Sequence, residues 1–261
     1  MYLRYTERLK MFGSRTSNRT TKYEIIAEKN YRWKSTKQAF VAWDFDNQEE
    51  IELPADAVLI PLTATNSVTG SHEVDRNKAT HRFNSVFSNE FTDFKEDVVK
   101  VQEKDRLDGT KTVIVEGVYT PTIKEKIADL PWASFTKNIY CLCDGEVVKL
   151  SLRASSLTPW IKFEGKIRDD NIDFMHGHGF VIGKATKEKN GSVEYYSPTY
   201  EIVKINEKDE QIANEKADEV EQAILRNKQN ASGEDEAVKF APSAPKQQES
   251  DDSITLDDIP F

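Results

Sequence analysis

The sequence predicts a mainly β fold of antiparallel strands, followed by a polar helix and a disordered acidic tail. Three observations predict this fold: two pairs of strand-like segments joined by two-residue turns, a helix-forming run after residue 205, and a final segment of low hydrophobicity. The 261 residues are ample for a hydrophobic core in one or two domains.

Two β-hairpins are the strongest local signals. They are predicted by Ile139–Cys143 and Glu146–Leu152 around Asp144-Gly145, and by Phe180–Lys189 and Ser192–Ile205 around Asn190-Gly191. Both turn dipeptides suit a type I′ turn. Lys111–Tyr119 adds another β-branched segment, and Ile123–Asp129 is a short helical candidate. Short strands joined by turns are typical of an antiparallel barrel or sandwich, and of the two we expect a five-stranded barrel with embellishments.

Two polar segments are predicted to lack regular structure. Gly13 to Thr21 is small, polar and basic, which is typical of a mobile arm. The interval from Thr63 to Arg82 carries turn signals at Asn66, Gly70 and Asn77, so we expect a loop there.

The chain changes character after residue 205. Residues 206–229 contain neither Gly nor Pro, and their large apolar side chains form only a thin stripe: Ile212, Val220, Ile224 and Leu225. This pattern predicts an exposed or partner-dependent helix. Residues 230–261 are too polar to offset the entropy of ordering, so they are predicted to be disordered. The expected β-rich domain therefore covers residues 1–205.

The net charge of −9 lies entirely in the C-terminal fifth. Residues 1–205 contain 30 Lys and Arg against 30 Asp and Glu, whereas residues 206–261 contain 6 against 15. The first forty residues have a net charge of +7. The total therefore does not exclude nucleic-acid binding by the body, and the asymmetry is typical of an interaction tail.

The chain ends in Asp257-Asp258-Ile259-Pro260-Phe261. An aromatic ring beside acidic groups can fill an apolar pocket while a carboxylate binds Arg. The ending resembles the acidic tip of bacterial single-stranded-DNA-binding proteins, which commonly end in DDIPF. The resemblance implies that Asp257, Asp258, Ile259, Pro260 and Phe261 bind replication, recombination and repair enzymes.

The resemblance covers only about the last fifteen residues. The body lacks the apolar opening strand of the bacterial family and is longer than one such domain. It is more similar to phage-encoded single-stranded-DNA-binding proteins, which pair diverged OB-fold cores with acidic tails ending in an aromatic residue. That similarity implies an OB-like barrel and a cytoplasmic protein of a bacterium or phage-infected cell. A homo-oligomer is compatible with the sequence, but the tetramer of the bacterial family is not implied.

Non-specific binding of single strands requires cations for phosphates and aromatic faces for bases. Both are present between Tyr23 and Trp43, where we expect Phe40 and Trp43 in the core and Tyr31 and Trp33 exposed. A second cluster begins on the strand ending at Arg153 and continues through the following aromatic and basic residues. The predicted DNA-binding residues are Tyr31, Arg32, Trp33, Lys34, Lys37, Lys149, Arg153, Trp160, Lys162 and Lys166.

Other chemistries are less well supported. The sequence contains no phosphate loop, HExxH or GxSxG motif, so no enzymatic activity is predicted. Cys141, Cys143, His176 and His178 could bind zinc, but one-residue spacers are unusual for zinc, and we predict no metal or cofactor. No apolar run is long enough to cross a membrane.

The sequence therefore predicts a non-sequence-specific single-stranded-DNA-binding protein. It would protect single strands in replication, recombination or repair and recruit enzymes through its C-terminal tip. The alternatives are a recombination mediator or annealing protein, and a replisome adaptor that uses the tip without coating DNA.

Overall fold

A computed structural model describes residues 24–75, 82–174 and 176–233. Its strands are β1 (Lys29–Lys34), β2 (Ala39–Asp44), β3 (Glu49–Glu52), β4 (Ile60–Asp75), β5 (Arg82–Ser88), β6 (Val98–Lys104), β7 (Lys111–Val118), β8 (Ala133–Cys143), β9 (Glu146–Leu152), β10 (His178–Asn190) and β11 (Val193–Lys204). Its α-helices are α1 (Pro121–Ala128), α2 (Leu157–Asp169) and α3 (Glu207–Gly233), and a 3₁₀ turn covers Ala154–Ser156. The predictions of a mainly β protein and of a C-terminal helix are confirmed.

Nine strands form one mixed sheet in the order β3-β2-β1-β9-β8-β4-β5-β6-β7. The β1–β9 pair is parallel, and all other neighbours are antiparallel. Strands β3 and β7 are the two edges and do not pair with each other in the described part of the chain, so the sheet is open. The predicted OB-like barrel is therefore not confirmed. The β10–β11 hairpin is separate and touches the sheet through a bridge between Leu59 and Phe180.

Both predicted hairpins are present. Asp144 and Gly145 have φ angles of 50° and 82° between β8 and β9, as a type I′ turn requires. In the second hairpin Asn190 pairs with Val193, so the turn lies one residue later than predicted. Gly191 is its first central residue, with a φ of 59°, which favours a type II′ turn.

The prediction of a loop from Thr63 to Arg82 is wrong for most of this segment. Residues 60–75 form the longest strand, β4, which pairs with β8 on one side and with β5 on the other. Asn66 lies within this strand, and its backbone N–H donates to the Phe91 carbonyl at 2.7 Å. The strand looks polar because its few large apolar side chains are divided between two cores, with Val68 fully buried on one face and Ile60 and Leu62 buried on the other. Asn77 lies outside the described residues.

The main core lies on one face of the sheet, under α1, α2 and the β10–β11 hairpin. Ile123 and Ile127, four residues apart in α1, turn one side of that helix toward this core. An aromatic cluster forms the part of this core under α2. The centre of the Trp160 ring, which belongs to α2, lies 5.0 Å from the ring centres of both Phe180 and Tyr200.

The second core lies on the opposite face, beneath α3. Ala213, Val220 and Ile224 of α3 pack against a patch of β4 and β8 made of Ile60, Leu62, Tyr140 and Leu142. Apart from the exposed Leu225, the thin apolar stripe therefore has its partner within the chain, which corrects the expectation of an exposed or partner-dependent helix. Neither α3 nor another described helix is long and apolar enough to span a membrane.

Candidate nucleic-acid interface

The sheet face that carries α3 is polar beyond the end of the second core. Arg32 pairs with Ser151, Ser151 with Asn138, and Asn138 with Thr65, so these four side chains form one row across β1, β9, β8 and β4. With neighbouring strands about 4.8 Å apart, the row is about 14 Å long. A row of this length could contact two or three nucleotides.

The neutral members of this row are hydrogen-bonded to each other and to neighbours. The Ser151 hydroxyl lies 2.7 Å from Asn30 Oδ1 and 3.0 Å from Asn138 Oδ1, and Asn138 Nδ2 donates to Ser67 Oγ at 3.0 Å. Ser151, Asn138 and Ser67 are buried. Because their polar atoms already have partners, they form a rigid neutral floor.

Two arginines stand beside this floor. Arg32 and Arg153 line a small cavity of about 140 Å³ together with Asn138 and Ser151. Burial lowers the pKa of Arg32, and repulsion by Arg153 lowers it further. In the described segments neither guanidinium has an ion pair with a carboxylate. Two neighbouring positive charges without a counter-charge form a site suited to an anion.

Among the described residues, one carboxylate lines the small cavity, and it is already neutralised. Glu90 accepts hydrogen bonds from Thr65 Oγ1 at 2.7 Å, Tyr140 Oη at 2.9 Å and Lys149 Nζ at 3.1 Å. Burial and the charge of Glu90 raise the pKa of Tyr140, so its hydroxyl stays a donor. Glu90 is therefore satisfied by these three groups and does not compete for the two arginines.

An exposed aromatic surface continues the same face on β2. Because Arg32 pairs with Val41, alternation places Trp43 on the face of Arg32 as its diagonal neighbour, within reach of a long side chain. Trp43 is 52% exposed, and Phe45, just after β2, is 83% exposed. The expectation that Trp43 lies in the core is wrong. Phe40 and Trp43 are three residues apart on one strand and point to opposite faces, and this parity could have revealed it.

The three aromatic residues that were predicted to bind DNA lie elsewhere. Tyr31 is only 4% exposed and packs in the main core. Trp33 packs edge-on against Phe40 at 5.3 Å, and its Nε1–H donates to the Tyr196 carbonyl at 2.8 Å. Trp160 is 1% exposed within the aromatic cluster. Tyr31 and Trp160 are therefore not available for stacking on a base, and Trp33 is half-buried.

The predicted basic residues divide between three places. Arg32, Lys149 and Arg153 meet on the polar face. Lys34 and Lys37 bind Glu50 of the edge strand β3, at 2.7 and 3.1 Å. The remaining two, Lys162 and Lys166, are exposed on α2, which covers the opposite face of the sheet.

The four candidate zinc ligands have other surroundings. Cys141 and Cys143 are buried thiols of the main core, and burial raises the pKa of both. His178 Nδ1 lies 2.9 Å from the Asp173 carbonyl, and His176 lies 3.7 Å from Glu210. No group of three or more potential metal ligands occurs among the described residues. The predicted tip, Asp257–Phe261, lies outside them.

Comparison with known proteins gives no guide to this surface. The chain matches no protein-family model, no curated protein and no solved structure. The surface is therefore interpreted from its own geometry and charge.

Proposed function

We propose that the protein binds single-stranded DNA without sequence preference along the polar face, and recruits replication, recombination or repair enzymes through Asp257–Phe261. The observation that carries the proposal is the Arg32–Arg153 pair, which lacks a carboxylate partner among the described residues and lies on the same face as the exposed ring of Trp43.

The chemistry of this face suits a flexible polyanion with planar bases. Each guanidinium can hold a phosphate with two parallel hydrogen bonds, and an exposed indole offers a stacking surface worth about 1–3 kcal/mol per base. The amide and hydroxyl groups of the floor are hydrogen-bonded to one another, so they present no fixed pattern to base edges. Binding therefore depends on phosphates and stacking, which are common to all sequences.

The sheet topology and the acidic tail are both compatible with this proposal. OB folds bind single strands across a strand face, and in an OB-like interpretation of this chain the corresponding surface is the polar face of the open sheet. The excess negative charge of residues 206–261 keeps the recruiting tip apart from the DNA backbone once DNA occupies the face.

The test compares two double variants of the full-length protein by fluorescence polarisation with labelled oligo-dT at several salt concentrations. Arg32→Ala/Arg153→Ala removes the proposed phosphate contacts. Lys162→Ala/Lys166→Ala makes the same charge change on α2, at two residues that the sequence also favours. We expect the arginine variant to lose at least about tenfold in affinity and about 1.4 in the slope of log affinity against log salt, because each phosphate contact contributes about 0.7.

The lysine variant should keep the affinity within about twofold of the wild type and leave the slope unchanged, since α2 lies on the opposite face. Equal losses in the two variants would place the interface elsewhere. No binding to oligo-dT by the wild-type protein would overturn DNA binding and leave the adaptor function.

A further inference from the structure

A larger cavity continues the polar face beyond Lys149. Its volume is about 550 Å³, and it borders the arginine cavity at Ser88, Glu90 and Lys149, which line both. Lys149 of β9 and Lys111 of β7 both line it, although four strands separate them in the sheet. In a flat sheet they would be about 24 Å apart, so the sheet bends around this cavity.

Aromatic rings with a lysine ammonium above them line the cavity at two places. Lys111 Nζ lies 5.9 Å from the centre of the Phe87 ring, and Lys149 Nζ lies 5.7 Å from the centre of the Tyr140 ring. Ile26 and Ile224 add apolar surface. An apolar planar surface combined with cations complements a ligand that carries both a flat ring and a phosphate.

Ion pairs account for much of the charge of the described lining and leave Lys111 for a ligand. Glu24 binds Arg226 at 2.8 Å, and Glu90 binds Lys149 at 3.1 Å. Lys111 has no ion pair with a carboxylate in the described ranges, and its ammonium lies over the face of Phe87. A phosphate could draw this ammonium away and expose the ring to a base.

The segment before β1 and the end of α3 both line the cavity and are joined to each other. The Glu24 backbone N–H donates to Asn227 Oδ1 at 2.7 Å, and Asn227 Nδ2 donates to the Glu24 carbonyl at 2.9 Å. These hydrogen bonds join the two segments where they line the cavity, which restricts the path of a strand that enters from the arginine cavity. The site suits a terminal nucleotide better than an internal one.

We propose that this cavity binds a nucleoside 5′-monophosphate, with the base on Phe87 and the phosphate on Lys111. The nucleotide is either free or the phosphorylated 5′ end of a strand on the polar face, and the strand-end form rests on the proposed function. The volume is within the range of cavities that hold ligands of this size.

The test uses the full-length protein and two measurements. Calorimetry compares dTMP, thymidine and inorganic phosphate, and polarisation compares oligo-dT with and without a 5′-phosphate. Lys111→Ala removes the proposed phosphate ligand, and Lys104→Ala is the matched control, because Lys104 is the cross-strand partner of Lys111 but does not line the cavity. We expect dTMP to bind more tightly than thymidine or phosphate, by about tenfold, and Lys111→Ala but not Lys104→Ala to abolish this difference.

The two oligonucleotides identify the source of the nucleotide. A preference of about tenfold for the 5′-phosphorylated strand, lost in Lys111→Ala, supports the strand end; dTMP binding without such a preference supports the free nucleotide. If dTMP binds no better than phosphate and the 5′-phosphate has no effect on strand binding, the cavity assignment is wrong. In that case, binding of both oligonucleotides would still leave the proposed function intact. If neither oligonucleotide binds, the proposed function is overturned. The calorimetry with dTMP would then still test the assignment of the cavity.

Discussion

Lys228 holds the C-terminal half of α3 against the sheet, and replacing it tests how this helix is secured. Its Nζ lies 2.6 Å from Asp97 Oδ2 and 2.9 Å from Thr92 Oγ1. Burial raises the pKa of Asp97, but hydrogen bonds from Lys228 and from the backbone N–H groups of Asp93 and Thr92 outweigh this and lower it to about 2. We predict that Lys228→Met loosens the end of α3 in a pH-dependent manner.

The sign of this dependence follows from the depressed pKa. A carboxylate with a pKa of 3.8 when unfolded and about 2 when folded stabilises the fold above pH 4, and the stabilisation is lost as the pH falls from about 4 to 2. The full difference corresponds to about 2.4 kcal/mol, which solvent screening of the partly exposed pair reduces to about 1–2 kcal/mol. Because Asp97 keeps its backbone donors, we expect Lys228→Met to cost about 1 kcal/mol at pH 7 and little near pH 2.

The assay is amide hydrogen exchange in the last two turns of α3, with variant and wild type compared at the same pH. A loss of about 1 kcal/mol predicts about fivefold faster exchange at pH 7, which converges with the wild type near pH 2. Lys216→Met is the control, because the exposed Lys216–Glu219 pair at 2.6 Å contributes less than about 0.5 kcal/mol. An equal effect at both pH values, or an equal effect of Lys216→Met, would refute the reasoning.

Three further predictions concern the aromatic residues and the tail. Trp43→Ala should weaken oligo-dT binding by about 5- to 150-fold and remove most of the fluorescence quenching, at unchanged melting temperature; unchanged affinity would contradict base stacking on this ring. Trp160→Ala should cost about 3–5 kcal/mol in urea unfolding because its ring is fully buried, and a loss below about 1 kcal/mol would argue against that packing. Deleting Ser250–Phe261 should tighten DNA binding, mostly at low salt, because four aspartates then no longer compete for the basic face; unchanged or weaker binding would exclude this competition.

Elements defined by short-range chemistry could be predicted from the sequence. The β8–β9 hairpin depends on Asp144-Gly145, because few residue pairs accept two successive positive φ angles. The helical candidate Ile123–Asp129 corresponds to α1, which begins two residues earlier with Pro121, where the missing N–H costs nothing. In both cases the deciding interactions lie within a few residues of each other along the chain.

Strand β4 was missed because its stability comes from distant partners. Asn66 and Gly70 are turn-forming residues in isolation, yet both lie in a strand paired on two sides. At Gly70 an added Cβ would collide with the Trp132 carbonyl, so the glycine permits close approach of a neighbouring strand. Local composition does not distinguish such a glycine from one in a turn.

The sequence by itself determined the alternation of side chains, the hairpin turns and the separation of a neutral body from an acidic tail. Its spacing puts Phe40 and Trp43 on opposite faces of a strand, although both were expected in the core, and it puts Lys149 and Arg153 on one face. Only the tertiary structure decided which face is buried, because burial depends on what packs there from elsewhere in the chain. Helix α2 and the β10–β11 hairpin help to cover the face of Phe40 and Trp33, while α3 covers only part of the other, leaving Arg32, Arg153 and Trp43 together on it.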